Sequence, residues 1–405
     1  MKMKKVKYLL VGSLLLFPTV SMKAQDKSLD YCAAKLQSTL KEITRSDGAI
    51  DYTMAPFHIL QGEQKWDLAK VSNNNWVCGF WPGLLWYDYM YTHDANIRQQ
   101  AEKFTDAMES IADKPISNHD LGFIIFCSIG NAYKITQKEE YKQTVLRAAD
   151  NLIKLYNPKV GTILSWPAMR HYKNWPHNTI IDNMMNLEML FWASKNGGGK
   201  NLYDIAVNHA LTTMKYHFRK DYSCYHVAVY DTIDGHFIKG VTQQGYSDQS
   251  MWARGQSWAI YGFTMAYRET HDTRFLDFVQ HVADVYLKRL PKDHVPYWDF
   301  DVPVTAETPR DVSSACIAAS ALLELSTYVS HDKAKYYRSS AEKILSNVSK
   351  NYQSKEKNSA MLLHSVGNFP GHGEVDASLI YADYYYMEAL LRLKALRHHQ
   401  PLMLQ

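Results

Sequence analysis

Two aspartates stand where long polar loops give way to apolar helical segments. Asp120 follows His119 and precedes the apolar run 121–126, and Asp182 follows Ile181 in a similar setting. Apolar neighbours penalise the charged form of a carboxyl group, which raises its pKa toward the range that general acid catalysis needs. An aspartate at the start of a helix is equally suited to capping that helix. The sequence therefore predicts either a pair of helix caps or a pair of catalytic carboxyl groups.

The same loops are rich in side chains suited to sugars. Aromatic faces stack on sugar rings, whereas amides, imidazoles and guanidinium groups bond to hydroxyl and carboxylate oxygens. The set comprises Trp76, Trp166, Trp175, Trp252, Trp258, Trp298, His119, His171, His177, His226, Gln243, Gln244 and Arg254. Any single tryptophan fits a packing role better than a binding role, and Arg254 is equally suited to bracing two loops through an ion pair. Their shared location indicates a carbohydrate site.

Other loop carboxylates give weaker signals. Asp299 and Asp301 form either a second acid pair or a brace for their own loop. Asp311 and Asp376 are predicted to cap helices. The sequence contains neither an HExxH pattern nor a CxxC pair. We therefore expect no metal and no cofactor.

Helical periodicity recurs along the whole chain, and two-residue alternation is confined to short pieces such as 225–230. Tight polar turns alternate with long aromatic-rich loops, which indicates antiparallel helix hairpins whose long loops share one end. Helices that follow long loops are apolar on all sides, whereas their partners carry charge on one face. The predicted helices are 28–45, 80–92, 95–113, 120–136, 138–155, 181–195, 200–219, 255–270, 272–290, 311–328, 333–351 and 375–396. They predict an all-α fold with six inner and six outer helices, an (α/α)6 barrel closed by the pairing of 28–45 with 375–396.

The domain organisation follows from the absence of a linker. No stretch rich in Pro, Gly or Ser and no run of charge divides the segment 25–405, so we expect a single catalytic domain there rather than two bundles. An open solenoid would show the same hairpins, but its last helix should have a polar outer face. The helix 375–396 lacks such a face.

Residues 1–24 have the order of a secretory signal peptide. Four lysines precede the apolar run 8–20, and Ala24 is a small residue at the expected cleavage point. Loss of 1–24 removes five lysines and no acid, which changes the formal net charge from +4 to −1. The basic composition therefore gives no argument for binding nucleic acid or a membrane. We expect a periplasmic mature protein, and the five cysteines are expected to be buried small hydrophobic residues.

Sequence blocks spread along nearly the whole of 25–405 resemble the bacterial unsaturated glucuronyl hydrolases of glycoside hydrolase family 88. The blocks are, in chain order, Asn75-Trp76 with Gly79-Phe80-Trp81, His119 to Phe123, Ile181 to Leu187, Phe191 to Ser194, Gly240 to Tyr246, Trp252 to Gly262, Arg310 to Ala315 and Ala382 to Leu390. Each block alone is weak evidence for the family. Their order and spacing together are specific to that family.

The resemblance implies an (α/α)6 barrel that acts on the 4,5-unsaturated glucuronic acid which polysaccharide lyases leave at the non-reducing end of chondroitin, hyaluronan or heparin fragments. Asp182 resembles the general acid/base of the family, and Asp120 resembles its second essential carboxylate. The implied substrate contacts are Gly240, Thr242, Arg254, Trp258, His226, Gln244, Trp76, Trp166, His119 and Ser365. The implied reaction hydrates a vinyl ether and does not displace the leaving group at C1 directly.

The chain departs from the family at one stretch. Members adapted to sulfated sugars carry Ser-x-x-Ser-x-Lys, whereas this chain has Ser365-Val366-Gly367-Asn368-Phe369-Pro370. The missing cation argues against tight recognition of a 6-sulfate, although Lys239 or His372 offers a substitute charge. We expect a monomer or a homodimer whose partner is an unsaturated uronyl oligosaccharide.

Three alternatives remain open. Unsaturated rhamnogalacturonyl hydrolases share the barrel and the hydration chemistry but act on pectin fragments. A helical glycan-binding protein would need the aromatic residues but not two acids in one mouth. A polysaccharide lyase would need a Tyr or His base, which Tyr246 and His226 could supply.

Overall fold

A computed structural model describes the backbone of residues 19–402 and the side chains of residues 25–402. Most of the predicted signal peptide therefore lies outside the described residues. Only its last residues are included, where they begin the helix Thr19–Ile43. Within the described part of the chain, every helix is too short or too polar to cross a membrane.

The helices form two concentric rings, and the predicted (α/α)6 barrel is confirmed. The inner helices, in chain order, are Phe80–Thr92, the π-helix Gly122–Gly130 continued by Asn131–Thr136, the 3-10 helix Ile181–Asn186 continued by Leu187–Ala193, Ala253–Thr270, Val312–Leu325 and Ile380–Arg397. The outer helices are Thr19–Ile43, Ala95–Asp106, Glu139–Leu152, Lys200–Tyr216, Thr273–Arg289 and His331–Asn351. The sixth inner helix packs against both the fifth and the first, which closes the ring.

Burial follows the predicted division between inner and outer helices. The fourth, fifth and sixth inner helices are buried along most of their length because their residues are apolar on nearly all faces. One continuous cluster of buried apolar side chains extends from Leu29 to Leu393. All five cysteines are unpaired and four are buried, as expected for small hydrophobic residues.

The tight turns between inner and outer helices have a common construction. His93, Gln137 and His271 end inner helices in the left-handed conformation, with φ between 55° and 57°. This conformation reverses the chain immediately after the last helical turn. Asp94 and Asp272 then cap the outer helices that follow by accepting backbone N–H groups. The hairpins are therefore short at this end, and the longer loops gather at the other.

Short antiparallel strands stiffen the long loops. Met54–Ile59 pairs with Asp67–Lys70 and with Ser378–Leu379, Tyr156–Asn157 pairs with Thr162–Ile163, and Val227–Tyr230 lies between His177–Ile180 and Phe237–Val241. The last of these sheets bears on the site because Ile180 lies opposite Val227. The ladder continues one residue further, where the N–H of Ile181 donates to the carbonyl of His226 at 3.0 Å. Asp182 and His226 are thereby held side by side.

A buried network of charges ties the inner helices together at the end opposite the long loops. Arg268 donates to Glu188 at 2.7 Å and to Glu324 at 2.8 Å, and Arg392 lies 3.0 Å from Glu324. Each charge in this network has an opposite partner, as burial requires. The long-loop end is left as the mouth of the barrel.

Candidate active site

Asp120 lies two residues before the second inner helix, next to the N-cap residue Leu121, and its side chain does not cap that helix. Its own N–H donates to the side-chain oxygen of Asn118 at 2.9 Å. Among the described residues, no backbone N–H at the start of the helix bonds to the Asp120 carboxylate. The Nε2 atom of His119 lies 3.4 Å from Asp120 Oδ1. The cap interpretation of Asp120 is therefore wrong, and its carboxylate is available to a ligand.

Asp182 occupies the first turn of the 3-10 helix Ile181–Asn186. Its side chain is 12% exposed, and its Oδ2 atom lies 3.8 Å from His226 Nε2. That oxygen has no hydrogen-bond partner in the described part of the chain. The N-cap residue of this helix, Ile180, makes no side-chain cap bond to any described residue. Both aspartates thus present carboxyl groups to the same opening.

Burial raises the pKa of both carboxyl groups. The pKa of Asp120 rises to about 7 because its charged form is desolvated. The pKa of Asp182 rises to about 6 for the same main reason, against the opposing effect of Arg254 and His119. The charge of Asp120 is the smallest contribution to the Asp182 shift. Desolvation, more than the like charge, therefore makes both groups hold a proton to higher pH than an ordinary aspartate does.

His226 is neutral, and its proton position is fixed by the backbone. Its Nδ1 atom accepts hydrogen bonds from the N–H groups of Gln243 and Gln244, each at 3.1 Å. Two donors on Nδ1 require the ring proton to sit on Nε2, which is the atom that faces Asp182. Burial lowers the pKa of His226 well below its ordinary value. The ring therefore presents an N–H to Asp182 without carrying a charge.

Arg254 is buried and engaged with two loops. Its guanidinium donates to Asp311 Oδ2 at 3.2 Å, to the carbonyl of Gly367 at 2.6 Å and to the carbonyl of Val366. It also lies over the ring of Trp252, 4.5 Å from the centroid. Arg254 therefore braces two loops, as one of the two interpretations of this residue predicted. The same charge acts on Asp182, because it lowers the pKa of that carboxyl group.

Several predicted contacts build the wall beside His226. Gly240 lies against the ring of Tyr225, where a Cβ atom would meet ring carbons at 2.4 Å. Thr242 Oγ1 accepts the N–H of Gly245 at 2.8 Å. Gln244 Nε2 donates to the carbonyl of Gly367 at 3.1 Å, which joins this loop to the one that holds Arg254.

The remaining predicted contacts differ in exposure. Trp76 and Trp166 are half-buried, and Trp166 meets the ring of His226 edge-on with 5.7 Å between centroids. Trp258 is fully buried, which leaves no ring face open to a sugar. Ser365 is also fully buried, and its hydroxyl accepts a backbone N–H of the fifth inner helix at 3.2 Å.

The other acids hold loops together. Asp299 accepts the N–H of Tyr246 at 2.9 Å and the hydroxyl of Ser250 at 2.7 Å, and Asp301 pairs with Arg289 at 2.7 Å. These bonds support the bracing interpretation and not a second acid pair. Asp311 caps the fifth inner helix as predicted.

Asp376 was predicted to cap the sixth inner helix, and that prediction is wrong. Its carboxylate accepts from Gln61 Nε2 at 3.0 Å and bonds to His364 Nδ1 at 2.6 Å. The helix begins later, at Ile380.

Buried donors without partners collect among these residues. At the site itself, four such atoms have no hydrogen-bond partner among the described residues: His119 Nε2, His226 Nε2, Arg254 Nε and Trp258 Nε1. Other unpartnered buried donors lie elsewhere in the described chain, for example Trp81 Nε1 and His209 Nε2. Unpartnered buried polar atoms are uncommon, and each costs free energy unless a ligand or water satisfies it. Together with the two carboxyl groups, they fit a polar ligand with several oxygen atoms.

Sequence reasoning missed one buried residue of this site, Asn186. Its side chain bonds to the ring of His119 at 3.0 Å. The sequence signal was an amide four residues after Asp182, a spacing that places both side chains on one face of a helix.

Comparison with known proteins agrees with this geometry. Residues 43–396 match the family model described as Glycosyl Hydrolase Family 88. An unsaturated glucuronyl hydrolase of Formosa agariphila is 42% identical over 329 residues, which cover 80% of this chain and 81% of the relative. An unsaturated chondroitin disaccharide hydrolase of Streptococcus pyogenes is 36% identical over 332 residues, which cover 80% and 82%.

Solved structures show the same likeness. The crystal structure of an unsaturated glucuronyl hydrolase specific for heparin is 40% identical, with a TM-score of 0.83 over 91% of this chain and 98% of that one. The unsaturated glucuronyl hydrolase of Bacillus sp. GL1 is 29% identical, with a TM-score of 0.85 over 91% and 97%. The resemblance stated from the sequence blocks is confirmed.

Proposed function

Because the chain belongs to Glycosyl Hydrolase Family 88, we propose that it removes 4,5-unsaturated glucuronic acid from the non-reducing end of lyase-generated glycosaminoglycan oligosaccharides. The relatives are named for chondroitin disaccharides and for heparin. One observation carries the proposal for this chain. Two buried carboxyl groups, Asp120 and Asp182, keep raised pKa values in one mouth, and each faces an imidazole.

The proposed reaction begins with a proton transfer. Asp182 donates its proton to C4 of the unsaturated sugar, and the C4=C5 electron pair forms the new C–H bond. Positive charge then develops at C5 and on the ring oxygen. An acid for this step needs a pKa near the working pH, and burial raises the pKa of Asp182 from 3.8 to about 6, toward that range.

Water completes the reaction at C5. Its oxygen bonds to C5, and its surplus proton passes to a carboxylate, either Asp120 or the Asp182 that has just lost its own. The product is a hemiketal that opens to a keto sugar, and the exposed hemiacetal at C1 then releases the rest of the chain as an alcohol. One water molecule is consumed and no oxidant or metal enters the balance.

The neutral imidazoles suit this sequence of steps. A charged His226 would hold Asp182 ionised, whereas the neutral ring offers an N–H that stabilises the carboxylate only as it forms. Its distance of 3.8 Å from Asp182 Oδ2 is longer than a hydrogen bond, and such contacts commonly tighten when substrate binds.

The positive charge of Arg254 supports binding of the uronate group. The guanidinium is held in place by Asp311 and two loop carbonyls. Its Nε atom has no partner among the described residues. Arg254 therefore supplies a fixed charge and a spare donor near Asp182, both suited to a substrate carboxylate.

The direct test follows the conjugated double bond. The protein is incubated with lyase-made unsaturated chondroitin, hyaluronan and heparin disaccharides while the ultraviolet absorbance is recorded. A falling absorbance supports the proposal, and the disaccharide that reacts fastest identifies the preferred polymer. Unchanged absorbance with all of them, or a rise on intact polymer, would overturn it in favour of a binding protein or a lyase.

We also propose that residues 1–24 direct export and are removed. The lysine-rich start, the apolar run 8–20 and Ala24 support this. Export places the hydrolase where oligosaccharides released by secreted lyases can reach it.

A further inference from the structure

Asn186 is a fully buried amide at the contact between the second and third inner helices. Its Oδ1 atom accepts the backbone N–H of Phe123 at 3.0 Å. Its Nδ2 atom lies 3.0 Å from His119 Nδ1. One side chain therefore links the start of the helix after Asp120 to the imidazole before it.

The orientation of this amide is determined by the backbone. The N–H of Phe123 can only donate, so the atom that faces it must be the amide oxygen. The amide nitrogen must then face His119. Because that nitrogen carries only donors, His119 Nδ1 must accept, and the ring proton is left on Nε2.

The surroundings of Nε2 agree with this assignment. Asp120 Oδ1 lies 3.4 Å away. The side chain of Asn183 also acts on the ring, and its Nδ2 is already used by the carbonyl of Ile163 and the hydroxyl of Ser165. The oxygen of Asn183 is therefore the atom left for the ring. The ionised Asp120 carboxylate and the Asn183 oxygen can each accept from a protonated Nε2.

The close approach of the two helices depends on Gly122. A Cβ atom at this position would lie 2.4 Å from Asn186 Cα and 2.5 Å from its Oδ1. Real side chains do not approach so closely, so a larger residue would push Asn186 away from both of its partners. A glycine at 122 and an amide at 186 are thus parts of one arrangement.

We propose that Asn186 is a positioning residue that holds His119 as the Nε2–H tautomer, so that the ring donates toward Asp120. This N–H faces Oδ1 of Asp120 at 3.4 Å, which leaves Oδ2 for the substrate or the reacting water. This inference rests on the proposed hydrolase function, in which Asp120 is the second carboxyl group.

The first test replaces Asn186 with Asp. The new side chain keeps its size and can still accept from Phe123, but the oxygen that faces His119 can only accept. The ring proton must then move to Nδ1, and a lone pair on Nε2 faces Asp120. We expect kcat to fall about tenfold or more with little change in KM, since a wrong histidine tautomer disables acid-base catalysis.

Asn151→Asp is the matched control. Asn151 is also buried, and its amide donates to the carbonyls of Ala112 and Lys114 in the outer ring. The substitution buries the same carboxylate and removes the same donors without touching an imidazole. Full kcat in Asn186→Asp, or equal losses in both variants, would overturn the proposal.

A second measurement needs no folded variant of Asn186. The wild-type protein with 15N-labelled histidine reports the tautomer of His119 by NMR, with the signal assigned by its loss in His119→Gln. We expect the Nε2–H form. An Nδ1–H ring would overturn the inference whatever the activity. Failure of the wild type to cleave any unsaturated disaccharide would defeat the proposed function and leave this tautomer result standing.

Discussion

Replacement of Asp182 by Asn should remove activity and stabilise the protein at high pH. The amide cannot supply a proton to C4. General acid catalysis contributes about 10² to 10⁴ in rate, and we expect kcat/KM to fall by an amount in that range. The amide also avoids the free-energy cost of burying a charged carboxylate. The two effects together distinguish a catalytic acid from a helix cap, because loss of a cap would lower stability.

The stabilisation follows from the shifted pKa. Folding raises the pKa of Asp182 from 3.8 to about 6, so the unfolded chain ionises first as pH rises. Below pH 3.8 the ionisation of Asp182 does not lower the free energy of unfolding. The free energy of unfolding then falls as pH rises from 3.8 to about 6, and above pH 6 it is lower by the whole penalty. That penalty is on the order of 3 kcal/mol at pH 8 and about half as much at pH 5. The Asp182→Asn variant would not carry the penalty, because its amide does not ionise.

Urea unfolding at pH 5 and pH 8, together with the absorbance assay, measures both effects. We expect Asp182→Asn to gain stability over the wild type, with the larger gain at pH 8. Asp301→Asn is a control in which the change in stability should have the opposite sign. Burial opposes the charge of Asp301, but its bonds to Arg289 hold its pKa below the ordinary value, so its removal should destabilise the protein at pH 8. Full activity in Asp182→Asn, or a loss of stability at pH 8, would refute the reasoning.

Three further outcomes are expected. Asp120→Asn should lose activity to a similar extent in the absorbance assay, and an unchanged rate would assign Asp120 a purely structural role. In the wild type, kcat/KM should fall as pH rises above about 7, because the carboxyl groups with pKa values near 6 and 7 lose their protons; a rate that keeps rising to pH 9 would contradict an acid as the proton donor. Mass spectrometry of the exported protein should find Gln25 at its N-terminus, whereas a secreted chain that retains 1–24 would exclude cleavage after Ala24.

The sequence by itself was sufficient to predict the barrel. Apolar periodicity and the alternation of tight turns with long loops are local properties of the chain, because a helix that is apolar on all sides must be buried whatever it packs against. The same patterns located Asp120 and Asp182 at one end of the ring. The order of the sequence blocks then indicated the family, which the comparisons confirmed.

Only the tertiary structure decided what each polar side chain does. Asp182 and Asp311 both stand at helix starts, yet one keeps a free carboxyl oxygen and the other caps its helix. The proton positions on His119 and His226 depend on donors from Asn186 and from the 243–244 backbone, which come from distant parts of the chain. Hydrogen bonding and desolvation act over a few ångströms in space and not along the sequence, so the roles of these groups are fixed by which loops the barrel brings together.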